Sequence, residues 1–298
     1  MNYYDEIKNE LVNNEVYKKV KDYSKNRSDL KTYYNVGKLL SEAGKHYGEG
    51  IISKYANKLE IEIGKRYNKR TLFRMRQFYL TFKDEKVSPV GTKLTWTHFR
   101  ELLSIRNKDK INYYIKIAEE QNLSVRELRQ RIKNKAYERL DDKTKEKLIN
   151  KEENKVQDFI KNPILIKNKF NTNDISEKML QNLILEDIPS FLDELGNGFT
   201  FIRNEYKIKL GNRYNYIDLL LYNINFNCYV VVELKVTELK KEHIGQIETY
   251  MNYVDKNIKN INQNPTIGII ICKENNVFIM KYITNSNIFE KEYILIHA

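Results

Sequence analysis

The spacing of apolar residues changes once along this chain, near residue 174, and this change limits the folds it can adopt. Before it, apolar side chains such as Tyr33, Val36 and Leu40 recur every three or four residues, the period of amphipathic helices. After it come three runs rich in β-branched and aromatic residues, which are typical of strands. These runs are FTFIRNEYKIKL, YNYIDLLLYN and CYVVVELKV. The sequence therefore predicts an α+β protein of two domains, an all-α domain followed by an α/β domain.

A charged stretch places the domain boundaries. Residues 141–158, DDKTKEKLINKEENKVQD, contain almost no large apolar side chains, as expected of an interdomain segment. We predict a basic helical domain over residues 1–140, a charged linker over 141–172 and an α/β domain over 173–298. A chain of 298 residues is long enough for two cores.

The helical half contains a candidate helix-turn-helix. Gly44 is predicted to end one helix, and a second helix, with apolar residues from Ile51 to Ile63, is predicted before Gly64. After the turn that begins at Gly64, a third helix is predicted over Arg70–Phe82. This helix presents Arg70, Arg74 and Gln77 opposite its apolar face, so these residues are candidates for nucleic-acid contact. A solvated amphipathic helix explains the same pattern equally well.

Two further helices in this half have recognisable starts. Thr95 or Thr97 is predicted to cap LTWTHFRELL, and Ser124 with Glu127 forms a capping box that opens VRELRQRIKNKAYERL. His98 is assigned to core or cap packing, because it has no partner at metal or catalytic spacing. Arg126 and Arg129 are candidates for phosphate contact, with solvated side chains as the alternative.

The excess positive charge is confined to the first half of the chain. Residues 1–150 hold 34 Lys and Arg against 21 Asp and Glu, whereas residues 151–298 hold 18 against 19. A localised basic surplus is expected of a surface that meets a polyanion. A general lysine bias explains lysine enrichment, but it does not explain this asymmetry, so nucleic acid is the predicted partner.

Composition also sets the expected compartment. The two cysteines, Cys228 and Cys272, lie in separate apolar runs and lack metal-ligand spacing, so we expect buried, reduced thiols. The N-terminus lacks the apolar core of a signal peptide, and no run approaches the length of a membrane span. The expectation is a soluble, cytoplasmic protein without membrane partners, whose state as monomer or homo-oligomer the sequence leaves open.

The second half predicts a mixed sheet with helices. One amphipathic helix is predicted from Leu180 to Leu195, with Pro189 as a local irregularity, followed by the three strands. A helix over Lys241–Asp255 and two more strands, TIGIIIC and VFIMKYI, complete the order. This order indicates an α/β domain.

Two carboxylates are set inside these otherwise apolar strands. They are Asp218 in IDLLLY and Glu233 in VVVELKV, and a charge in such a run is costly unless it is paired, hydrated or metal-bound. Strand alternation puts Glu233 and Lys235 on one face, and a hairpin would bring Asp218 beside them. Such a group suits Mg²⁺ or Mn²⁺ and phosphodiester hydrolysis. The alternative is a solvated salt bridge on a strand face.

These residues resemble a known pattern. The order Asp218-(x14)-Glu233-Leu234-Lys235 looks like that of the PD-(D/E)XK nuclease superfamily, and the text around it resembles the YhcG-type family of that superfamily. Matching stretches include YIDLLLYN, VVVELKV, GQIETYMNYVD, RTLFRMRQFY and LTWTHFRELL. The resemblance covers nearly the whole chain. It implies a restriction-endonuclease-like domain, metal-dependent nucleic-acid cleavage, and Asp218, Glu233 and Lys235 as the catalytic triad.

The resemblance also implies further site residues. Gln246 and Tyr250 lie four residues apart on one helical face and are expected near the active site, where an ordinary amphipathic helix is the alternative. Gln181 stands where the superfamily often has a metal-binding glutamate, and Glu177, one turn earlier, is the candidate substitute. Ile217 replaces the proline of the family pattern, which only shapes the backbone.

The predicted function is therefore that of a magnesium-dependent endonuclease that acts on DNA. A catalytically retired nucleic-acid-binding or interaction protein is the alternative, which the intact Asp218, Glu233 and Lys235 disfavour and Gln181 favours. Single-stranded, branched or RNA substrates are also left open, because the tyrosine-rich composition hides any stacking platform.

Overall fold

The computed structural model describes residues 2–20, 25–84, 89–150, 158, 160–170, 172–283 and 285–297. The chain divides into two compact units, residues 1–137 and 138–298. Among the described residues, no helix combines the length and the apolar character that a bilayer crossing requires.

The first unit contains helices and no strands among its described residues. Its helices are α1 (Tyr3–Val20), α2 (Lys25–Tyr47), α3 (Gly50–Glu62), α4 (Lys69–Phe82), α5 (Trp96–Leu102), α6 (Lys108–Glu120) and α7 (Val125–Lys133). The predicted helix over Arg70–Phe82 is confirmed as α4, whose N-cap Asn68 accepts a hydrogen bond from the Thr71 amide at 3.0 Å. The helix-turn-helix role of α3 and α4 stays a prediction.

Capping predictions in this unit are confirmed. Thr95 caps α5, with His98 completing the capping box, and Ser124 with Glu127 forms the box at the start of α7. His98 is buried and its Nε2 lies 3.0 Å from the Leu123 carbonyl oxygen, so its role is structural. The predicted stop at Gly44 is wrong, because α2 continues to Tyr47.

Close packing explains one glycine inside α2. A Cβ on Gly37 would lie 2.2 Å from the Met75 carbonyl oxygen and 2.8 Å from the Tyr79 Cβ, both on α4. The two helices therefore approach more closely than any larger residue at position 37 permits. Around this contact lie two apolar clusters, one built on α1 to α4 and the other mainly on α4 to α7.

The second unit is a six-stranded sheet with helices on both faces. Its helices are α8 (Asp142–Asn150), α9 (Glu177–Glu186), α10 (Ile188–Leu195), α11 (Lys241–Asn257) and α12 (Val277–Lys281). Its strands are β1 (Ile164–Asn168), β2 (Phe199–Leu210), β3 (Arg213–Asn223), β4 (Cys228–Leu234), β5 (Asn264–Cys272) and β6 (Ile288–His297). The strand order is β1-β6-β5-β4-β3-β2.

The sheet is mixed, as predicted. Strands β2, β3 and β4 form an antiparallel meander, and β4, β5, β6 and β1 pair in parallel. A parallel pair needs a crossover between its strands, and α11 supplies it between β4 and β5. One face of the sheet packs against α9 and α10, and the other packs against α11. A Cβ on Gly268 of β5 would lie 2.7 Å from the Met251 Sδ, so α11 sits close on the sheet.

Three details of the predicted second unit are wrong. The segment 277–283, predicted as a strand, carries helix α12; Asn276 caps it, and Val277 and Phe278 are 69% and 80% exposed. The apolar residues there are not a sign of burial. The helix predicted over 180–195 is two helices, because Asp187 leaves the helical conformation and caps α10, and Pro189 fits the first turn of α10.

The third error concerns two strands that the local sequence pattern does not predict. Helix α8 and strand β1 both lie inside the predicted linker 141–172. Residues 142–150 and 164–168 are therefore part of the folded unit and not linker. Strand β6 follows α12 and pairs with both β5 and β1. Both strands form parallel pairs with distant segments, and such pairs leave no turn signal in the local sequence.

Candidate active site

Asp218 and Glu233 lie where β3 and β4 separate. The antiparallel ladder between these strands runs from Asn223 and Cys228 to Leu219 and Val232, and it ends one residue before the two acids. Beyond that point the Oδ2 of Asp218 accepts a hydrogen bond from the backbone amide of Leu234 at 2.8 Å. The side chain of one acid thus spans the gap that the diverging strands leave.

Glu233 is a buried carboxylate that is only partly satisfied by the protein. The residue is 1% exposed, and its Oε2 accepts a hydrogen bond from Gln246 Nε2 at 3.1 Å. Its Oε1 is buried and has no hydrogen-bond partner among the described residues. Leaving a buried carboxylate oxygen without a partner costs free energy. A ligand that contacts this atom would recover that cost.

Lys235 lies between two acids. Its Nζ is 3.6 Å from the Oε2 of Glu233 and 3.5 Å from the Oε2 of Glu177, the first residue of α9. The Lys235 backbone amide donates to the Ile271 carbonyl oxygen at 2.8 Å, which continues the β4 pairing with β5 and fixes the direction of the side chain. The side chains of Glu233 and Lys235 therefore lie on the same face of the strand, as predicted, and they contact each other.

Electrostatics in this group favour extra positive charge. Burial, together with the charge of Asp218, raises the pKa of Glu233 to about 8, although Lys235 acts in the opposite sense. Burial also raises the pKa of Asp218. The pKa of Lys235 is raised despite burial, because Glu233, Glu177 and Asp218 favour its charged form. The acids thus concentrate more negative charge than one ammonium neutralises.

Helix α11 supplies the predicted pair Gln246 and Tyr250. Gln246 Nε2 contacts both the Glu233 carboxylate, at 3.1 Å, and the Tyr250 hydroxyl, at 3.2 Å. Tyr250 is 5% exposed, and burial raises its pKa. Gln246 therefore touches the acid directly, whereas Tyr250 is placed to hold Gln246.

Helix α9 contributes through Gln181, a residue to which sequence reasoning gave no role of its own. Gln181 Nε2 donates to the backbone carbonyl of Asp218 at 3.1 Å, and Gln181 Oε1 accepts from Lys178 Nζ at 3.0 Å. Gln181 holds the backbone of Asp218, and Glu177, one turn away on the same helix, reaches Lys235. The four-residue spacing of Glu177 and Gln181 was the available signal, but it identified no partner.

The predicted nucleic-acid contacts occupy different environments in the helical unit. Arg70 and Arg126 are exposed, and Arg74 is half-buried on α4. Arg129 donates to both carboxylate oxygens of Glu101, at 3.1 and 2.7 Å, and Gln77 Nε2 donates to the Leu103 carbonyl at 2.6 Å. Two of the five residues are thus engaged within the unit.

Comparisons with known proteins follow the division into two units. Residues 157–296 match the family model of the YhcG PDDEXK nuclease domain, and residues 9–139 match that of the DUF1016 N-terminal domain. The chain is 24% identical over 285 residues to the protein named "Putative nuclease YhcG" of Escherichia coli (strain K12). The alignment covers 82% of this chain and 76% of that protein.

Two solved structures are similar to part of the chain. One is a repair endonuclease from Pyrococcus abyssi, with 18% identity, a TM-score of 0.29 and coverage of 41% of this chain and 49% of that one. The other is the complex of EndoMS with double-stranded DNA, with 16% identity, a TM-score of 0.31 and coverage of 42% and 48%. The matched region spans about half the length of each of these structures.

Proposed function

We propose, from the premise that this chain belongs to the YhcG-type family of PD-(D/E)XK nucleases, that it is a metal-dependent endonuclease. The bond hydrolysed is the phosphodiester bond of nucleic acid, with DNA as the expected substrate. Asp218 and Glu233 hold a divalent cation, Mg²⁺ or Mn²⁺, and Lys235 acts beside them.

The observation that carries this proposal is the unpartnered buried Oε1 of Glu233. It lies beside a second acid whose charge already raises the pKa of Glu233, so a cation relieves both the missing partner and the repulsion. Among the described residues, no group of three or more His, Cys, Asp and Glu side chains is arranged to enclose a metal. Two carboxylates completed by water and substrate oxygens are a usual way of binding Mg²⁺.

Asp218 and Glu233 would hold the cation, and a bound divalent cation would supply Lewis-acid chemistry suited to phosphodiester hydrolysis. Lys235, charged beside Glu233 and Glu177, neutralises charge that builds on the phosphate and orients the attacking water. Gln246 fixes the Glu233 carboxylate, and Tyr250 fixes Gln246. Gln181 keeps the Asp218 backbone in place.

The helical unit is proposed to hold the nucleic acid. Its basic surplus supports this role, and exposed Arg70 and Arg126 with half-buried Arg74 are cations of α4 and α7 proposed to contact phosphate. Gln77 and Arg129 stay in the proposal as residues that shape this surface, since each is engaged within the unit.

The test is cleavage of plasmid, linear duplex, single-stranded DNA and RNA in Mg²⁺, in Mn²⁺ and in EDTA. We expect products only with metal, and their loss in Glu233→Gln and in Lys235→Ala. Glu274→Gln is the matched control, because Glu274 is an exposed acid of the same unit. Equal products from wild type and both site variants would show that the activity belongs to another protein in the preparation.

The retired-nuclease alternative predicts a different outcome. Such a protein binds nucleic acid with a steep salt dependence but yields no metal-dependent product from any of the four substrates. The engaged Gln181 gives this alternative less support than the sequence suggested, because a hydrogen bond to the Asp218 backbone accounts for a glutamine at this position.

A further inference from the structure

A basic concavity lies in the helical unit, formed by α4, α5, the loop after α5 and the start of α6. Its volume is about 600 Å³. Arg74, Arg100, Arg106 and Lys108 line it, and no Asp or Glu is found among its lining residues. A surface indentation with cations and no acid is complementary to an anion.

The arginines of this concavity have no carboxylate partner within the part of the chain that is described. No ion pair is formed there by Arg74, Arg100 or Arg106. The negative charge of Glu101 reduces the repulsion among these arginines. Both carboxylate oxygens of Glu101, however, already accept hydrogen bonds from Arg129. Partial burial and the charges of Arg70 and Arg100 lower the pKa of Arg74. Arg74 and Arg100 share one nearby acid that Arg129 already binds, so the cluster carries a surplus of positive charge.

The concavity is larger than a phosphate ion requires. Leu103, Ile105 and Ile111 line it beside the arginines, and its volume falls in the range of roughly 300–1,000 Å³ typical of small-molecule sites. Helix α6, which is 13 residues long, begins at its rim, where Asn107 caps the helix through the Lys110 amide. The positive end of a helix dipole adds to the attraction for an anion.

We propose that this concavity binds one unpaired nucleotide of a nucleic-acid strand, with its phosphate and base against the guanidinium groups of Arg74, Arg100 and Arg106 and its sugar beside the partly exposed Ile105. A guanidinium group both forks onto phosphate oxygens and stacks on a base. A base inside a duplex must leave the stack to enter such a pocket. The proposal rests on the proposed nuclease function and narrows its substrate to nucleic acid with an unpaired segment.

Binding by the full-length chain in EDTA tests the proposal without cleavage. The probes are a labelled single strand, a blunt duplex of equal length and the same duplex with an unpaired overhang, measured by fluorescence anisotropy over a salt series. Inorganic phosphate and a mononucleotide are the competitors. We expect the overhang and the single strand to bind more tightly than the blunt duplex, and the mononucleotide to compete better than phosphate.

The test variant is Arg100→Ala with Arg106→Ala, since both side chains are exposed and their removal spares the core. Its matched control is Lys45→Ala with Lys54→Ala, which removes two exposed charges from α2 and α3 outside the concavity. We expect the test variant to weaken single-strand binding about tenfold or more, with a salt slope lower by about 0.7 for each phosphate that the variant no longer neutralises. Arg74→Lys keeps the charge but removes the guanidinium fork, and it is expected to weaken binding as well.

Two results would overturn the inference. One is equal affinity and salt slope for the test variant and the control; the other is competition by inorganic phosphate as strong as that by the mononucleotide. Metal-dependent cleavage that survives in the test variant and is abolished in Glu233→Gln leaves the nuclease proposal intact in either case. Cleavage that Glu233→Gln does not affect refutes the nuclease proposal, whatever the concavity binds.

Discussion

Replacing Glu233 by glutamine is expected to stabilise the metal-free nuclease unit while abolishing cleavage. Glu233 is 1% exposed, and its pKa is raised from an ordinary 4.5 to about 8. The folded protein therefore holds the proton on this acid at pH values where the unfolded chain releases it. A neutral glutamine of the same shape removes that difference.

The magnitude follows from the two pKa values. At pH 7 the unfolded acid, with its pKa of 4.5, is almost fully ionised, whereas the folded acid is still mostly protonated. At about 1.36 kcal/mol for each pH unit between 4.5 and 7, Glu233 costs up to about 3 kcal/mol of folding free energy at pH 7. Because the folded pKa of this acid is raised, full stability is present below pH 4.5 and is lost progressively as the pH rises to about 8.

Hydrogen exchange of the β4 and β5 amides measures this difference. Tryptophan fluorescence does not, because the single tryptophan, Trp96, lies in the helical unit. In EDTA, between pH 5 and pH 8 and after correction for intrinsic exchange, we expect wild-type protection to fall relative to that of Glu233→Gln. The exposed-acid control Glu274→Gln should follow wild type.

Divalent metal should reverse the order of stability, so that wild type becomes more stable than Glu233→Gln. Metal that binds only the folded state stabilises it by about 4.1 kcal/mol at a thousandfold excess over Kd, which exceeds the cost of about 3 kcal/mol at pH 7, and we expect this gain in wild type but not in Glu233→Gln. Parallel pH profiles for wild type and Glu233→Gln in EDTA would refute the reasoning, because they would show that the burial of this acid carries no proton-linked cost.

Three further predictions concern packing, a buried ion pair and the site. Gly37→Ala should lower the stability of the helical unit by about 1–3 kcal/mol through overpacking, because its Cβ would meet a backbone oxygen at 2.2 Å. Gly44→Ala on the same helix, where the nearest atom is 3.5 Å away, should instead add about 0.5–1 kcal/mol; urea unfolding followed by tryptophan fluorescence compares them, and equal midpoints contradict the packing argument. Arg139→Ala removes the guanidinium partner of the 7%-exposed Glu194, which keeps Lys161 at 3.7 Å, and should cost about 1.5–3 kcal/mol, seen as a lower Tm; an unchanged Tm refutes it. Glu177→Gln should lower metal affinity or cleavage about 10-fold to 100-fold through Lys235, and metal titrations that match wild type would remove it from the site.

Local sequence signals predicted the elements that depend on neighbours in the chain. The capping box of Ser124 and Glu127 specifies the start of α7 through contacts three residues apart. The bounds of β2 were predicted as FTFIRNEYKIKL because turn residues lie on both sides. The strand predicted at Val277 failed for the opposite reason, since β-branched and aromatic residues report propensity but not whether a partner strand is present.

The amino-acid sequence alone specifies the chemistry available to this protein: two acids and a lysine at strand spacing, a helical half with all the surplus positive charge, and caps that begin helices. The packing of the elements settles which of these groups meet. Glu233 Oε1 is left without a partner among the described residues, α9 brings Gln181 to Asp218 and Glu177 to Lys235, and α11 brings Gln246 to Glu233. These contacts join segments up to dozens of residues apart, and their geometry follows from how helices pack on a twisted sheet rather than from any local pattern.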